Sequence, residues 1–410
     1  MRDLFSAAFK ANPFPTLAEL RAQEPIYGHL APYGARIWYV TRYEDVLAIL
    51  RDNKRFTKDP RWETAASSSA SSPSPTHFGR NLSQMISQNM LFADPPDHTR
   101  LRALVGQAFT PRRVEALAPR IEAIAEELLA RVRPHGRMEL IADFALPLPM
   151  QVIMELLGIP AADQSQVHEW TKAIIAPSRH GIRLRQRQRN IRAFVAYVQA
   201  MFAERHARPQ DDLITALVQA EEVGGDKLSE AELTSMVALL FVTGHETVVN
   251  FIGNGLLALL AHPEQTAALR ANPALLERAM EELLRYDGPV ETSTTRWARE
   301  DVLLGGQTIR KGDVVRVVLA SANRDAAVFG DGADGLDFGR AENPHLAFGY
   351  GIHYCLGAPL ARLEGRIAFP RLLALPHLRV AVPPAELKWH LGVIFRGLEA
   401  LPLEWGGGVV

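Results

Sequence analysis

Cysteine is nearly missing from this chain, with one residue, Cys355, in 410. No intramolecular disulfide is possible, so the fold is no stapled scaffold, and a lone thiol fits a reducing cytoplasm. An excess of charge is missing too. The 45 Lys and Arg residues against 46 Asp and Glu leave a formal net charge of -1, which removes the electrostatic case for nucleic acid. The one basic concentration, residues 179–192, is a local cluster and not a tail. Apolar runs are short: the longest, residues 233–244, stops at His245-Glu246, below the roughly 18 residues of a membrane span. The opening Met1-Arg2-Asp3-Leu4-Phe5 lacks the apolar core of a signal peptide. No membrane and a cytoplasmic location are therefore expected. With 47% hydrophobic and 22% charged residues, the composition is that of an ordinary soluble enzyme and excludes disordered or collagenous classes. No internal repeat or composition break appears, so one domain over 1–410 is expected.

The first hundred residues mix short strands and helices. Residues 37–40 read as a strand, and Thr41 with Glu44 reads as a capping box opening a helix over 44–52. Residues 64–76, rich in Ser, Ala and Pro, read as a surface loop or as a flap over a substrate entrance. From His98 onward the pattern is helical, over 112–132, 149–157, 161–176, 183–205 and 211–222. A second capping box, Ser229 with Glu232, opens a helix that runs to His262 before Pro263, ~50 Å at 1.5 Å per residue. It is apolar almost all round and so central and buried, yet it carries His245, Glu246 and Thr247 in its middle. Strand signals follow at 302–304, 307–309 and 314–319, and a final helix at 358–373. The expected class is mainly α with small β-sheets (α+β).

The informative segment is Phe348-Gly349-Tyr350-Gly351-Ile352-His353-Tyr354-Cys355-Leu356-Gly357-Ala358. Its glycines permit a tight turn that aims N–H groups at the sulfur, and a helix begins just beyond. Both favour a thiolate, which acts as a nucleophile or a metal ligand. One cysteine cannot build a four-sulfur zinc or iron–sulfur site, which leaves a single thiolate beneath a haem iron.

Phe348-x-x-Gly351-x-His353-x-Cys355-x-Gly357 resembles the haem-ligand loop of the cytochromes P450, specifically the soluble bacterial kind, and the resemblance runs from about residue 15 to 405. It implies that family's fold with a long central helix, haem b (iron protoporphyrin IX) as cofactor, and Cys355 as the iron ligand. Three further motifs match in the family's order. Glu282-x-x-Arg285 places two side chains on one helical face. Alone it reads as a surface ion pair; in the family it joins an arginine upstream of the cysteine loop, for which Arg340 is the match, and locks that loop in place. His98 and Arg102, four apart at a helix start, match propionate ligands of the haem, as do Arg296 and His353. Four donors suit two partly buried carboxylates.

The third motif is Thr243-Gly244-His245-Glu246-Thr247. A zinc-protease reading of His245-Glu246 fails, because Val249 stands where the second histidine belongs. The family pattern implies that Thr247 steadies dioxygen while Glu246 relays protons. Gly244 is expected to relax the helix there, helped by threonine bonding back to the helix carbonyls. Thr243 replaces a usual Ala or Gly, and Val248 replaces a usual second hydroxyl; Glu246 and Thr247 remain intact.

The implied activity is insertion of one oxygen atom of O2 into a C–H bond of a hydrophobic small molecule. Electrons would come from a separate ferredoxin or flavodoxin with its reductase, because no flavin or iron–sulfur segment is seen. That partner would dock over the cysteine loop near Arg112, Arg113, Arg362 and Arg366. By family correspondence Met85, Ile86, Leu239, Leu240, Thr243, Val290, Thr292, Ile394 and Phe395 line the substrate pocket, and residues 64–90 form its entrance. The polar stretch at 289–294 suggests a substrate bearing oxygen functions, such as a macrolide, terpenoid or steroid. The alternatives are a peroxide-driven peroxygenase, against which the Glu246–Thr247 pair argues, and a non-catalytic haem sensor.

Overall fold

The computed structural model describes residues 4–30, 36–59, 88–175, 182–220 and 225–406. The central element is the helix Glu230–Ala261. Its N-terminus carries the expected capping box: the Ser229 side chain accepts from the Glu232 N–H, and the Glu232 carboxylate accepts from the Ser229 N–H at 2.9 Å. By length and composition this helix is able to cross a membrane, but 78% of its apolar window is buried inside the protein. It is a core helix, apolar on all sides because other helices surround it.

Three of those helices position the site: Pro147–Leu156, Leu276–Asp287 and Ala358–Leu373. They approach closely. A Cβ on Gly365 would stand 2.5 Å from Met280 Cε and 2.8 Å from Phe251 Cε1, so only glycine lets the last two helices meet the central one there. The remaining sheet structure is small. Strands β1 (Ile26–Leu30), β2 (Arg36–Val40), β3 (Phe56–Thr57), β5 (Arg296–Ala298) and β8 (Val314–Val317) form one sheet in the order β1-β2-β8-β5-β3. The β2–β8 pair is parallel, with Ile37 opposite Val314, whereas β5 runs antiparallel to β8, with Arg296 opposite Val315. Strands β4 (Arg137–Glu139), β10 (Pro402–Glu404) and β9 (Arg379–Val380) make a second sheet, and β6 (Val302–Leu304) pairs with β7 (Gln307–Ile309) as a hairpin.

Three local expectations are corrected. The helix Tyr43–Arg51 has no side-chain cap from its own neighbourhood; Thr41 is fully buried and its hydroxyl donates to the Pro25 carbonyl. The cap comes instead from Asp325, whose carboxylate accepts from the Tyr43 N–H at 2.9 Å. Residues 112–132 form two helices, Pro111–Ala116 and Ala118–Val132, because Pro119 has no N–H with which to continue the first. The strand at 314–319 stops at Val317, and Leu319–Ala322 turns into a short helix. The expected flap at 64–76 lies outside the described residues.

Candidate active site

The cysteine loop is built by its glycines and clamped from below. Gly351 has φ +73°, and a Cβ there would lie 2.8 Å from the Leu50 carbonyl oxygen, so a side chain is excluded on both counts. The Cys355 N–H donates to the Phe348 carbonyl at 3.0 Å, and the Leu346 N–H donates to Asn323 Oδ1 at 2.7 Å. Cys355 opens onto an internal cavity of about 460 Å³. Burial pushes its thiol above the ordinary value, and the Gly357 and Ala358 N–H groups with Arg102 and Arg362 pull it down only in part. The loop thus aims N–H groups and two arginines at the sulfur, as its glycines suggest, while burial opposes ionisation. Among the described residues no group of three or more His, Cys, Asp or Glu converges on a metal position.

The three charged residues expected to lock this loop do meet. Arg285 Nε and Nη2 donate to Glu282, each at 2.8 Å, and Arg340 Nε donates to the same carboxylate at 3.1 Å. Asn343 and the Asp337 N–H complete the ring around Glu282. Arg285 also donates to the carbonyls of Asn323, Ala333 and Gly335, all on the approach to the cysteine loop. The network is fully buried at Glu282 and Arg285, so its charges are compensated by one another rather than by water.

A second convergence lines one wall of the cavity. His98 and Arg102 sit one turn apart on the helix Asp97–Ala108, Arg296 comes from β5, and His353 from the cysteine loop. The rings of His98 and His353 stand edge to face at 4.4 Å. Burial, then Lys58 and the other basic groups, hold His353 down at about 2, and burial lowers Arg296 to about 10. Neither His98 nitrogen has a partner, and His353 Nε2 has none. Arg102 donates to the Tyr354 carbonyl at 2.7 Å. Permanently charged donors and orphaned imidazole nitrogens facing one cavity call for buried anions, and the two carboxylates of a haem fit that demand.

The opposite wall belongs to the central helix. Thr243 Oγ1 donates to the Leu239 carbonyl at 2.8 Å, and Thr247 Oγ1 to the Thr243 carbonyl at 3.0 Å. The helix is nonetheless unbroken from Glu230 to Ala261, so the expected relaxation at Gly244 is not seen. Gly244 serves packing instead, since a Cβ would come within 3.2 Å of Ile153 Cδ1. Thr247 lines the cavity; Glu246 is buried and lies off its lining.

Of the pocket residues expected from sequence, Leu239, Leu240, Thr243, Val290, Ile394 and Phe395 line the cavity. Thr292 does not: its buried hydroxyl donates to the Val393 carbonyl at 2.8 Å, which turns it toward the backbone. Met85 and Ile86 lie outside the described residues. Two acidic or basic cavity residues were missed. Lys58 follows β3, and its Nζ donates to Thr294 Oγ1. Glu364 is fully buried with neither carboxyl oxygen partnered, and burial pushes it well above the ordinary carboxylate range. It shares a helix face with the cavity residues Leu360 and Ala361, four and three positions earlier, which only the fold reveals. Two of the arginines expected to meet a partner are spoken for: Arg362 grips Glu281 at 2.6 and 2.7 Å, and Arg366 pairs with Glu115 at 3.2 Å.

The family model described as Cytochrome P450 matches residues 63–387. The chain is 43% identical to the polyketide biosynthesis cytochrome P450 PksS of Bacillus subtilis (strain 168), over 97% of this chain and 96% of that protein. It is also 43% identical to the cytochrome P450 monooxygenase PikC of Streptomyces venezuelae, over 98% and 92% of the two chains. The solved structure of the Bacillus subtilis 168 bacillaene polyketide synthase P450 PksS superposes with a TM-score of 0.90 at 42% identity, covering 99% of this chain and all of that one. With a cysteine loop, a buried glutamate–arginine lock and an anion-seeking cavity wall in place, this chain belongs to the cytochrome P450 family and is an oxygen-inserting monooxygenase.

Proposed function

We propose that the chain, as a single domain over 1–410, is a haem b monooxygenase of the cytoplasm that hydroxylates a polyketide, macrolide or similarly oxygen-bearing apolar molecule. The observation that carries this reading is one cavity holding Cys355, Thr247 and the cationic wall together. Bound haem supplies the centre at which O2 is reduced and one oxygen atom passes to carbon. Cys355 Sγ is the residue that holds its iron, with the Gly357 and Ala358 N–H groups donating to the sulfur. Arg102, Arg296, His98 and His353 hold its two carboxylates. Glu282, Arg285 and Arg340 keep the cysteine loop in register.

Thr247 has its hydroxyl hydrogen engaged with the Thr243 carbonyl, so its oxygen faces the cavity as an acceptor. It accepts a hydrogen bond there, while Glu246 would relay protons from solvent. The apolar side chains of Leu239, Leu240, Val290 and Phe395 exclude water and hold the substrate's hydrocarbon. The exposed hydroxyl of Thr243 and the polar Ser293–Thr294 edge meet its oxygen functions; the PksS relative's role in polyketide biosynthesis supports this class. Electrons arrive from a separate ferredoxin or flavodoxin with its reductase, docking over the cysteine loop where Tyr350, Tyr354 and Arg112 are exposed.

Absorption spectra of reduced, carbon monoxide-treated protein test the core of this reading. A strongly red-shifted Soret band that is lost in Cys355→Ser is expected; haem without that shift overturns thiolate ligation. A binding screen then sets macrolides and polyketides against plain fatty acids, and exclusive fatty-acid binding overturns the substrate class.

A further inference from the structure

Among the described residues, Lys58 is the one basic residue lining the cavity that no motif pointed to. It follows directly on β3, its side chain is buried, and its ammonium donates to Thr294 Oγ1. Arg296, His98, Arg102 and His353 share the same cavity. The nearest acid does not balance this set. Asp94 is already engaged by Arg299 at 2.9 Å, by the Thr57 hydroxyl, and by the Lys58 backbone N–H at 3.2 Å. Lys58, Arg102 and Arg296 thus bring three basic side chains to one wall beside a single, committed carboxylate. Burying such a set is unfavourable unless a ligand delivers further negative charge.

We propose that Lys58 is an additional carboxylate ligand of the haem, its ammonium binding a propionate alongside Arg296 and His353. The proposal rests on the haem reading above. Thr294 holds the ammonium in place, so little side-chain freedom is lost when the carboxylate arrives. A positive charge fixed in a water-poor site also favours the reduced haem, which carries one positive charge fewer than the oxidised form. Removing the charge therefore loosens the cofactor and lowers its midpoint potential.

The test pairs two cofactors with four proteins. Wild type, Lys58→Met, Lys58→Gln and Lys58→Arg are each loaded with haem or with haem dimethyl ester, whose propionates are neutral. Haem transfer to excess apomyoglobin and the midpoint potential are measured for every pair. With haem, both uncharged variants are expected to release cofactor roughly tenfold faster, the scale of one lost charged hydrogen bond, and to show a lower potential. Lys58→Arg is expected to stay near wild type. With the dimethyl ester the difference in release is expected to vanish. Uncharged variants equal to wild type overturn the proposal, and so does a release difference of the same size with the ester, which would assign Lys58 to packing alone. The carbon monoxide band separates the two readings: a red-shifted band in wild type and variants leaves haem–thiolate ligation standing whatever Lys58 does. Its absence from wild type overturns both.

Discussion

Glu281 ties three segments together through one carboxylate. Arg362 donates to both its oxygens, and His345 Nε2 lies 3.0 Å from Oε2. Burial alone would raise this acid; the hydrogen bonds from Arg362 and His345 outweigh it and hold it at about 2, below the ordinary 4.5. A depressed folded value means the contribution to stability is complete above pH 4.5 and is lost as the pH falls toward 2. Glu281→Gln is expected to flatten the acid limb of stability across that window, as read by urea unfolding at pH 3 and pH 5. An unchanged slope would show that the pair adds nothing in solution, as many partly exposed ion pairs do. At this scale the sequence was readable where partners share a helix. His98 with Arg102 and Glu282 with Arg285 are coded by spacing. Lys58 and Glu364 were missed because a lysine after a short strand and a glutamate in a helix look solvated until their surroundings are known. Cys355 shows both scales at once: nearby N–H groups favour a thiolate, as the spacing suggests, and burial, which spacing does not report, opposes it.

Among elements, the cysteine loop depends on a helix distant in sequence. Glu282 is the common acceptor for Arg285 and Arg340, and Arg285 in turn satisfies the carbonyls of Asn323, Ala333 and Gly335 on the approach to that loop. Glu282→Ala leaves the buried Arg285 guanidinium without its counter-charge, which costs about 3–5 kcal/mol. Urea unfolding is expected to show that loss, together with poor haem retention. A variant of wild-type stability would mean that the loop holds itself. Helix starts make the contrast between local and distant signals concrete. Ser229 and Glu232 behave as their spacing predicts, because both partners lie within one turn. Thr41 and Glu44 have the same spacing and fail, because Thr41 is drawn into the core beside Pro25 and a distant carboxylate takes its place.

Across the whole molecule, contacts between chain ends and middle are decisive. Asp325 caps its own short helix through the Ala327 N–H at 3.1 Å and the helix Tyr43–Arg51 through the Tyr43 N–H. Asp325→Ala removes both caps and is expected to cost about 1–2 kcal/mol, seen as a lower unfolding midpoint with an unshifted carbon monoxide band. The N-terminal segment is tied in similarly: Lys10 Nζ donates to Glu291 at 2.6 Å, and Arg396, paired with Asp287, donates to the Lys10 carbonyl. Glu291 lies within the Pro289–Thr294 stretch and the Arg396 N–H donates to the Pro289 carbonyl, so the N-terminus braces one side of the substrate wall.

The sequence alone determined the family, the mainly helical class, the long buried helix and the residues whose partners lie within a turn, since apolar periodicity and short-range spacing are local properties of the chain. Only the tertiary structure decided which charges share a cavity and which carry no counter-charge. It also showed that Thr292 turns away from the pocket and that Gly244 serves packing. Burial and long-range pairing depend on what the fold brings alongside each residue, and no local pattern encodes that.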